Sequence, residues 1–278
     1  MPIYLFLGGL SGASSVLAAA ADLTGRPGLA RAGRVTAAAG MLGSLGALIH
    51  DLGRPARFLN MLRVFKPTSP MSAGSWTIAA FGPLAAAAAA SDVTGVLTAA
   101  GRAAGIGAAA LGPAMATYTA VLLADTAIPA WHDAHPELPF VFGGSAVAAA
   151  AGAALAAAPL AESGPAARMA LAGAGVEIAA TEIMTRRLGL PAEAYSQGRA
   201  GKLMLAAKVL TASGAAGAVL GRRSRVISTA AGACLVAGSA ALRFAVFDAG
   251  VQSARDPRYT VIPQRERVAR RAAEVAGD

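Results

Sequence analysis

A set of ionisable side chains stands where such groups are costly, inside long apolar runs or at their ends. They are His50 and Asp51, Asp125, Glu177 and Glu182, Lys208, and Arg243 with Asp248. Tyr4 and Tyr118 add two phenols in the same kind of setting. Carboxylates, histidine and lysine can exchange protons, and a tyrosine hydroxyl can hold a carbonyl oxygen by a hydrogen bond. Such groups at membrane depth are functional candidates unless they snorkel to the headgroups from a helix end. Snorkelling accounts for Asp248 and serves for Arg243. It accounts poorly for Glu177 and Lys208, which lie a turn or more inside; pairing with each other or with nearby carboxylates would lower their cost.

The elements that position these residues follow from composition. Of the 278 residues 55% are hydrophobic and 14% charged, too little polar surface to coat a soluble domain of this size. A soluble alanine-rich bundle would carry Lys and Glu on its outer faces, whereas Gly144 to Ala158 has no charge at all. Eight runs approach the ~20 residues that cross a bilayer: 3–23, 33–50, 73–91, 107–128, 138–158, 166–185, 203–220 and 226–247. The expectation is an all-α integral membrane protein of eight spans over 1–250, with a charged, flexible tail over 251–278. No Lys or Arg precedes the first run, so it reads as a retained helix and not a cleaved leader. The up-down order then places every ionisable residue named above, and both tyrosines, in the half of the membrane that holds the termini or close to the midplane. Such a one-sided pocket suits a lipid-soluble substrate with polar ends and a proton requirement, and a quinone fits that description.

Other classes are disfavoured. One cysteine, Cys234, cannot hold an iron–sulfur cluster, and the three histidines offer no facing pair for haem, so no metal site is expected in this chain. The net charge of +9 reads as loop arginines beside anionic lipid, not as a nucleic-acid surface. Fourteen Lys and Arg fall on the side of the termini against eight opposite. That lean toward a cytoplasmic terminal side comes wholly from the tail, so orientation stays open.

The connection between the second and third runs is distinctive: His50-Asp51-Leu52-Gly53-Arg54-Pro55-Ala56-Arg57-Phe58-Leu59-Asn60-Met61-Leu62-Arg63-Val64-Phe65-Lys66-Pro67, continuing through Pro70 to Trp76. Gly53 and Pro55 stop the preceding helix. Phe58, Met61, Leu62 and Phe65 recur at i, i+3, i+4, i+7, which predicts an amphipathic interfacial helix over 56–66, ended by Pro67 and Pro70.

This stretch closely resembles the NrfD/polysulfide reductase membrane subunit family. Further matches are Leu7-Gly8-Gly9-Leu10-Ser11-Gly12, the run from Tyr118 through Pro129-Ala130-Trp131-His132 to Phe142, and scattered residues such as Glu177 and Arg187-Leu188-Gly189. The resemblance implies eight helices in two four-helix bundles. It implies a subunit of a bacterial plasma-membrane oxidoreductase, not catalytic alone. Such a subunit exchanges electrons between the quinone pool, here expected to be menaquinone, and a ferredoxin-like iron–sulfur subunit. Behind that partner stands a molybdopterin or multihaem catalytic subunit. Tyr118 matches the family's quinone-side tyrosine, and Tyr4 is the nearest counterpart of a polar residue early in the first span. His50 and Asp51 would exchange protons with the quinone. Asp125 and Arg54 would stand around it, although Asp51 with Arg54 or Arg57 could equally be an ion pair shaping the loop. Arg57, Asn60, Arg63 and Lys66 would meet the iron–sulfur partner. Glu177, Glu182 and Lys208 are assigned to a proton path or a buried ion pair.

Two other classes fit parts of the pattern. A secondary transporter or proton-translocating protein would show broken helices in repeated halves; Gly82-Pro83 and Gly112-Pro113 are present, without a convincing inverted pair. A purely structural anchor would not need Glu177 and Lys208 in its spans.

Overall fold

The computed structural model describes residues 1–54 and 56–277, and their side chains except those of Arg267 and 270–277. Pro55 and Asp278 lie outside the described residues, and with Pro55 the helix stop expected there; the other expected stop, Gly53, has a φ of +67° just past the end of the second helix.

The chain is all-helical among the described residues. The long helices are α1 (Pro2–Leu23), α2 (Pro27–Asp51), α4 (Pro70–Thr94), α5 (Thr98–Ala124), α7 (Leu138–Ala157), α8 (Gly164–Arg187), α10 (Gly198–Leu220) and α11 (Arg225–Arg255). Short helices α3 (Arg57–Met61), α6 (Pro129–His132) and α9 (Glu193–Ser196) lie in the loops, and α12 (Arg258–Gly277) follows α11. Among the described residues seven helices are long and apolar enough to cross a membrane. The sixth expected run falls in α8, which is comparably long but carries Arg168, Glu177, Glu182, Arg186 and Arg187 and stays outside that apolar set. The expected boundary at 250/251 falls inside α11, and Tyr259 beyond it is buried.

Prolines at the first helical positions start α1, α2, α4, α6, α7 and α8, where the missing N–H costs nothing. Packing is close because glycines face each other across helices. A Cβ on Gly12 of α1 would lie 2.5 Å from the Gly112 carbonyl of α5, and the reverse distance is 2.6 Å. Gly144 and Gly173 join α7 to α8, and Gly152 and Gly232 join α7 to α11, in the same reciprocal way. Small residues at such crossings let dispersion and backbone contacts hold helices where lipid supplies no hydrophobic drive. α1 packs against α2, α5, α7 and α11; α4 pairs with α5 and α2, and α11 with α10 and α7.

One face bears the α2–α4 loop, α6, α9 and the end of α11. Here α6 and α9 are tied down. Trp131 Nε1 donates to the Val246 carbonyl at 2.7 Å, and the Tyr195 hydroxyl donates to the Ala130 carbonyl at 2.8 Å. Arg187 grips Glu137 with both branches, Nε to Oε1 at 2.5 Å and Nη2 to Oε2 at 2.7 Å. That bidentate pair holds the Glu137 carboxyl below its ordinary range, with partial burial opposing it. A lowered folded value means the pair contributes stability above the unfolded carboxylate's range, and the contribution is lost as pH falls through the folded value. Arg187→Gln should therefore flatten the acid limb of a thermal-stability profile while leaving its neutral-to-alkaline limb parallel to the parent. Identical acid limbs would show the pair to be energetically idle.

Candidate functional site

The expected helix over 56–66 is shorter than its periodicity suggests. Only Arg57–Met61 is helical. Past it the backbone is taken by side chains of α4: Ser72 Oγ accepts from Lys66 N at 3.0 Å and donates to the Val64 carbonyl at 3.1 Å, and Trp76 Nε1 donates to the same carbonyl at 3.4 Å. The residue before Pro67 is also disfavoured in helix. Phe65 therefore leaves the apolar face and sets its ring edge-on to Trp76, centroids 6.0 Å apart. Phe58 remains packed on the core. Leu59, Val64 and Phe65 are 67%, 69% and 60% exposed, an apolar surface that no described residue covers. Arg54, Arg57, Asn60, Arg63 and Lys66 are all exposed, and among the described residues none of these four cations is in an ion pair.

Beneath this loop α1, α4 and α5 bring two predicted residues together. The Tyr4 and Tyr118 hydroxyls form a hydrogen bond, although 114 positions separate them. Tyr4 is buried, and the Tyr118 ring lies on Gly74 of α4, where a Cβ would come within 2.6 Å of it. Ser44 of α2 donates to the Tyr4 carbonyl at 3.2 Å. An apolar groove of about 430 Å³ opens between α2 and α4, with Phe58 and Leu62 of the loop at its edge. Its inner wall, Met41 and Ile78, belongs to the same buried cluster as Tyr4.

Among the described residues no hydrogen bond joins the other predicted residues to the tyrosine hydroxyls. His50 sits at the end of α2 with its side chain 91% exposed, its Nδ1 3.9 Å from Asp51. Asp51 pairs with the amino group of Met1, and neither Arg54 nor Arg57 reaches it. Asp125 follows α5, which ends at Ala124 instead of 128, and it is exposed. Lys208 does not meet Glu177. It pairs across α8 and α10 with Glu182 at 3.4 Å, half-exposed, and Glu182 also takes Arg186 at 2.9 Å.

Arg243 overturns the snorkelling reading. It is fully buried. The sequence pattern ends the last run at 247, but α11 continues to Arg255, which puts Arg243 about three turns from the helix end. Its Nη2 donates to the Phe142 carbonyl at 2.9 Å and its Nε to the Leu5 carbonyl at 3.4 Å, and its guanidinium lies 3.8 Å from the centroid of the Phe142 ring. Glu177, 2% exposed, accepts from Thr211 Oγ1 at 2.9 Å. Among the described residues Glu177 Oε2 and Arg243 Nη1 have no hydrogen-bond partner, and the two side chains form no ion pair. Ser145 donates to Ser239 at 2.8 Å in the same core. Thr211, Ser145 and Ser239 carry no sequence signal beyond being polar in apolar helices. Arg243 does, since a guanidinium between Leu242 and Phe244 is costly in any run that spans lipid.

Comparison with protein families settles where such a chain belongs. The model described as polysulphide reductase, NrfD, matches residues 1–184. The chain belongs to the NrfD family. No curated protein matches it. The NrfD match covers α1 through nearly all of α8, including the tyrosine pair, the 52–70 loop and Glu177. NrfD proteins are membrane subunits of respiratory oxidoreductases and work beside catalytic partners. The seven apolar helices agree with a multi-pass NrfD protein.

Proposed function

We propose that this NrfD protein is the quinone-binding subunit of a multi-subunit oxidoreductase in a bacterial plasma membrane. Eight spans in two four-helix bundles, α8 included, would carry electrons between menaquinone and an iron–sulfur subunit docked on the 52–70 loop. A molybdopterin or multihaem catalytic subunit would stand behind that partner. The observation that carries the reading is the Tyr4–Tyr118 hydroxyl pair beneath that loop. Two phenols facing each other in an apolar cluster offer a quinone oxygen a donor without a charge to desolvate. The 430 Å³ groove, whose inner wall shares a buried cluster with Tyr4, is apolar and of a size that suits part of an isoprenoid chain.

A bound quinone exchanges electrons with the partner and protons with this chain. Tyr118 donates to its carbonyl oxygen, with Tyr4 holding Tyr118 in place. His50 and Asp51, at the exposed end of α2, pass protons to water, and Asp125 and Arg54 bias the field at that mouth. The polar core of Glu177, Thr211 and Arg243 gives a proton path or a structural charge pair further in. Glu182 with Lys208, half-exposed, acts as a pair locking α8 to α10.

Quinol oxidation by the assembled complex tests this reading. His50→Ala should slow turnover and shift its pH profile with assembly intact. Photocross-linkers at positions 57–66 should capture the iron–sulfur subunit. An unchanged rate and profile for His50→Ala, joined to capture only from the 95–97 or 221–224 loops, would favour a structural anchor docked by its other face.

A further inference from the structure

We propose that the cavity at the opposite end of α1, α2, α4 and α5 binds one phospholipid, with one of its two acyl chains inside the helix ring and its phosphate on Arg102. A second cavity stands away from the tyrosines. It measures about 560 Å³ and lies between the last turns of α1 and α4 and the first turns of α2 and α5. The reason is volume. In the tyrosine half of this ring Met41, Ile78, Phe81 and Met115 fill the centre. In the other half Ala18, Ala37, Ala85, Ala88 and Ala108 point inward, and methyl groups do not meet across four helices.

Such a space is poorly suited to water. Ser15 is the one hydroxyl on its wall, and its Oγ is already committed to the Gly12 and Ala108 carbonyls at 2.7 and 3.2 Å. Water without partners gains nothing there, and an empty apolar void forfeits dispersion on every wall. A hydrocarbon chain restores those contacts.

The mouth selects the head. Arg34, its side chain 11% exposed, bridges Asp22 and Asp92, and Arg31 also takes Asp92. Arg102 has no carboxylate in ion-pair reach among the described residues, so three cations face two anions. A smaller polar recess of about 210 Å³ adjoins the cavity, sharing Arg34 and Arg102 and adding Ser91 and Thr98. An apolar shaft under a polar recess with one unmatched guanidinium fits an anionic amphiphile. A neutral quinone leaves that guanidinium unmatched, and a free anion leaves the shaft empty.

The test uses the assembled complex in phosphatidylcholine nanodiscs doped with phosphatidylglycerol that carries a diazirine in its acyl chain. Photolysis should label the cavity walls at 15–19 and 105–109. Ala85→Phe fills the shaft and should cut that labelling by roughly tenfold, with quinol turnover retained; Ala37→Met, a smaller filling, serves if the phenylalanine variant fails to assemble. Arg102→Gln should keep the label but lower the preference for phosphatidylglycerol over the matching phosphatidylcholine probe by about fivefold. Labelling that ignores both fillings, a preference that ignores Arg102, or displacement by added menaquinone or by inorganic phosphate would each overturn the assignment. Quinol turnover reads the tyrosine end separately, so its loss bears on that site and not on this one.

Discussion

Arg243→Met should destabilise the protein by about 3–5 kcal/mol, because it removes a fully buried cation from the polar core that also buries Glu177, while keeping most of the side-chain volume. It also leaves the Phe142 and Leu5 carbonyls without their guanidinium donor. The loss should appear as a large drop in thermal midpoint and in assembled yield from detergent. The double variant Arg243→Met with Glu177→Gln removes both charges, and it should recover much of the loss, since a neutral buried amide is far cheaper than an orphan carboxylate. Additive losses in this double-mutant cycle would show that the two charges do not stabilise one another.

Tyr118→Phe should leave assembly intact and slow quinol turnover by roughly ten- to a hundredfold, the equivalent of about 1.5–3 kcal/mol for a hydrogen bond to an oxygen that gains charge. The ring stays, and with it the contact on Gly74. Tyr4→Phe should have a smaller effect, because in this reading its hydroxyl holds Tyr118 and not the substrate. Steady-state quinol oxidation by assembled complexes is the measurement. Unchanged turnover in Tyr118→Phe would remove the hydroxyl pair from the site. Gly74→Leu offers an independent route: it drives the Tyr118 ring aside without altering its chemistry, and it should reproduce the slowing.

Much of this architecture is readable from residues alone, and the failures have physical causes. The long helices follow from apolar run length, and their starts from proline placement. The 52–70 loop stands out because its prolines, glycine and arginines cannot belong to a span. Its helix is over-extended in the sequence reading because periodicity cannot foresee Ser72 and Trp76 taking the Val64 and Lys66 backbone. Depth alone leaves Lys208 a choice of carboxylate, and the structure gives it Glu182 because Glu177 and Glu182 are five positions apart and face different sides of α8. Arg243 is misplaced because an amphipathic extension of α11 continues the helix past the end of the apolar run. The opposite cavity is invisible for another reason. Alanine registers as apolar in any hydropathy count, but it supplies almost no volume, and missing volume leaves no mark in a sequence.

The reciprocal glycine contacts on α7 carry a mechanical meaning. Gly144 seats it on α8 and Gly152 seats it on α11, each by backbone against backbone. A rod notched on two sides can neither roll nor slide without lifting out of both notches. Piston or rocking motions of α7 would have to open both close backbone contacts at once.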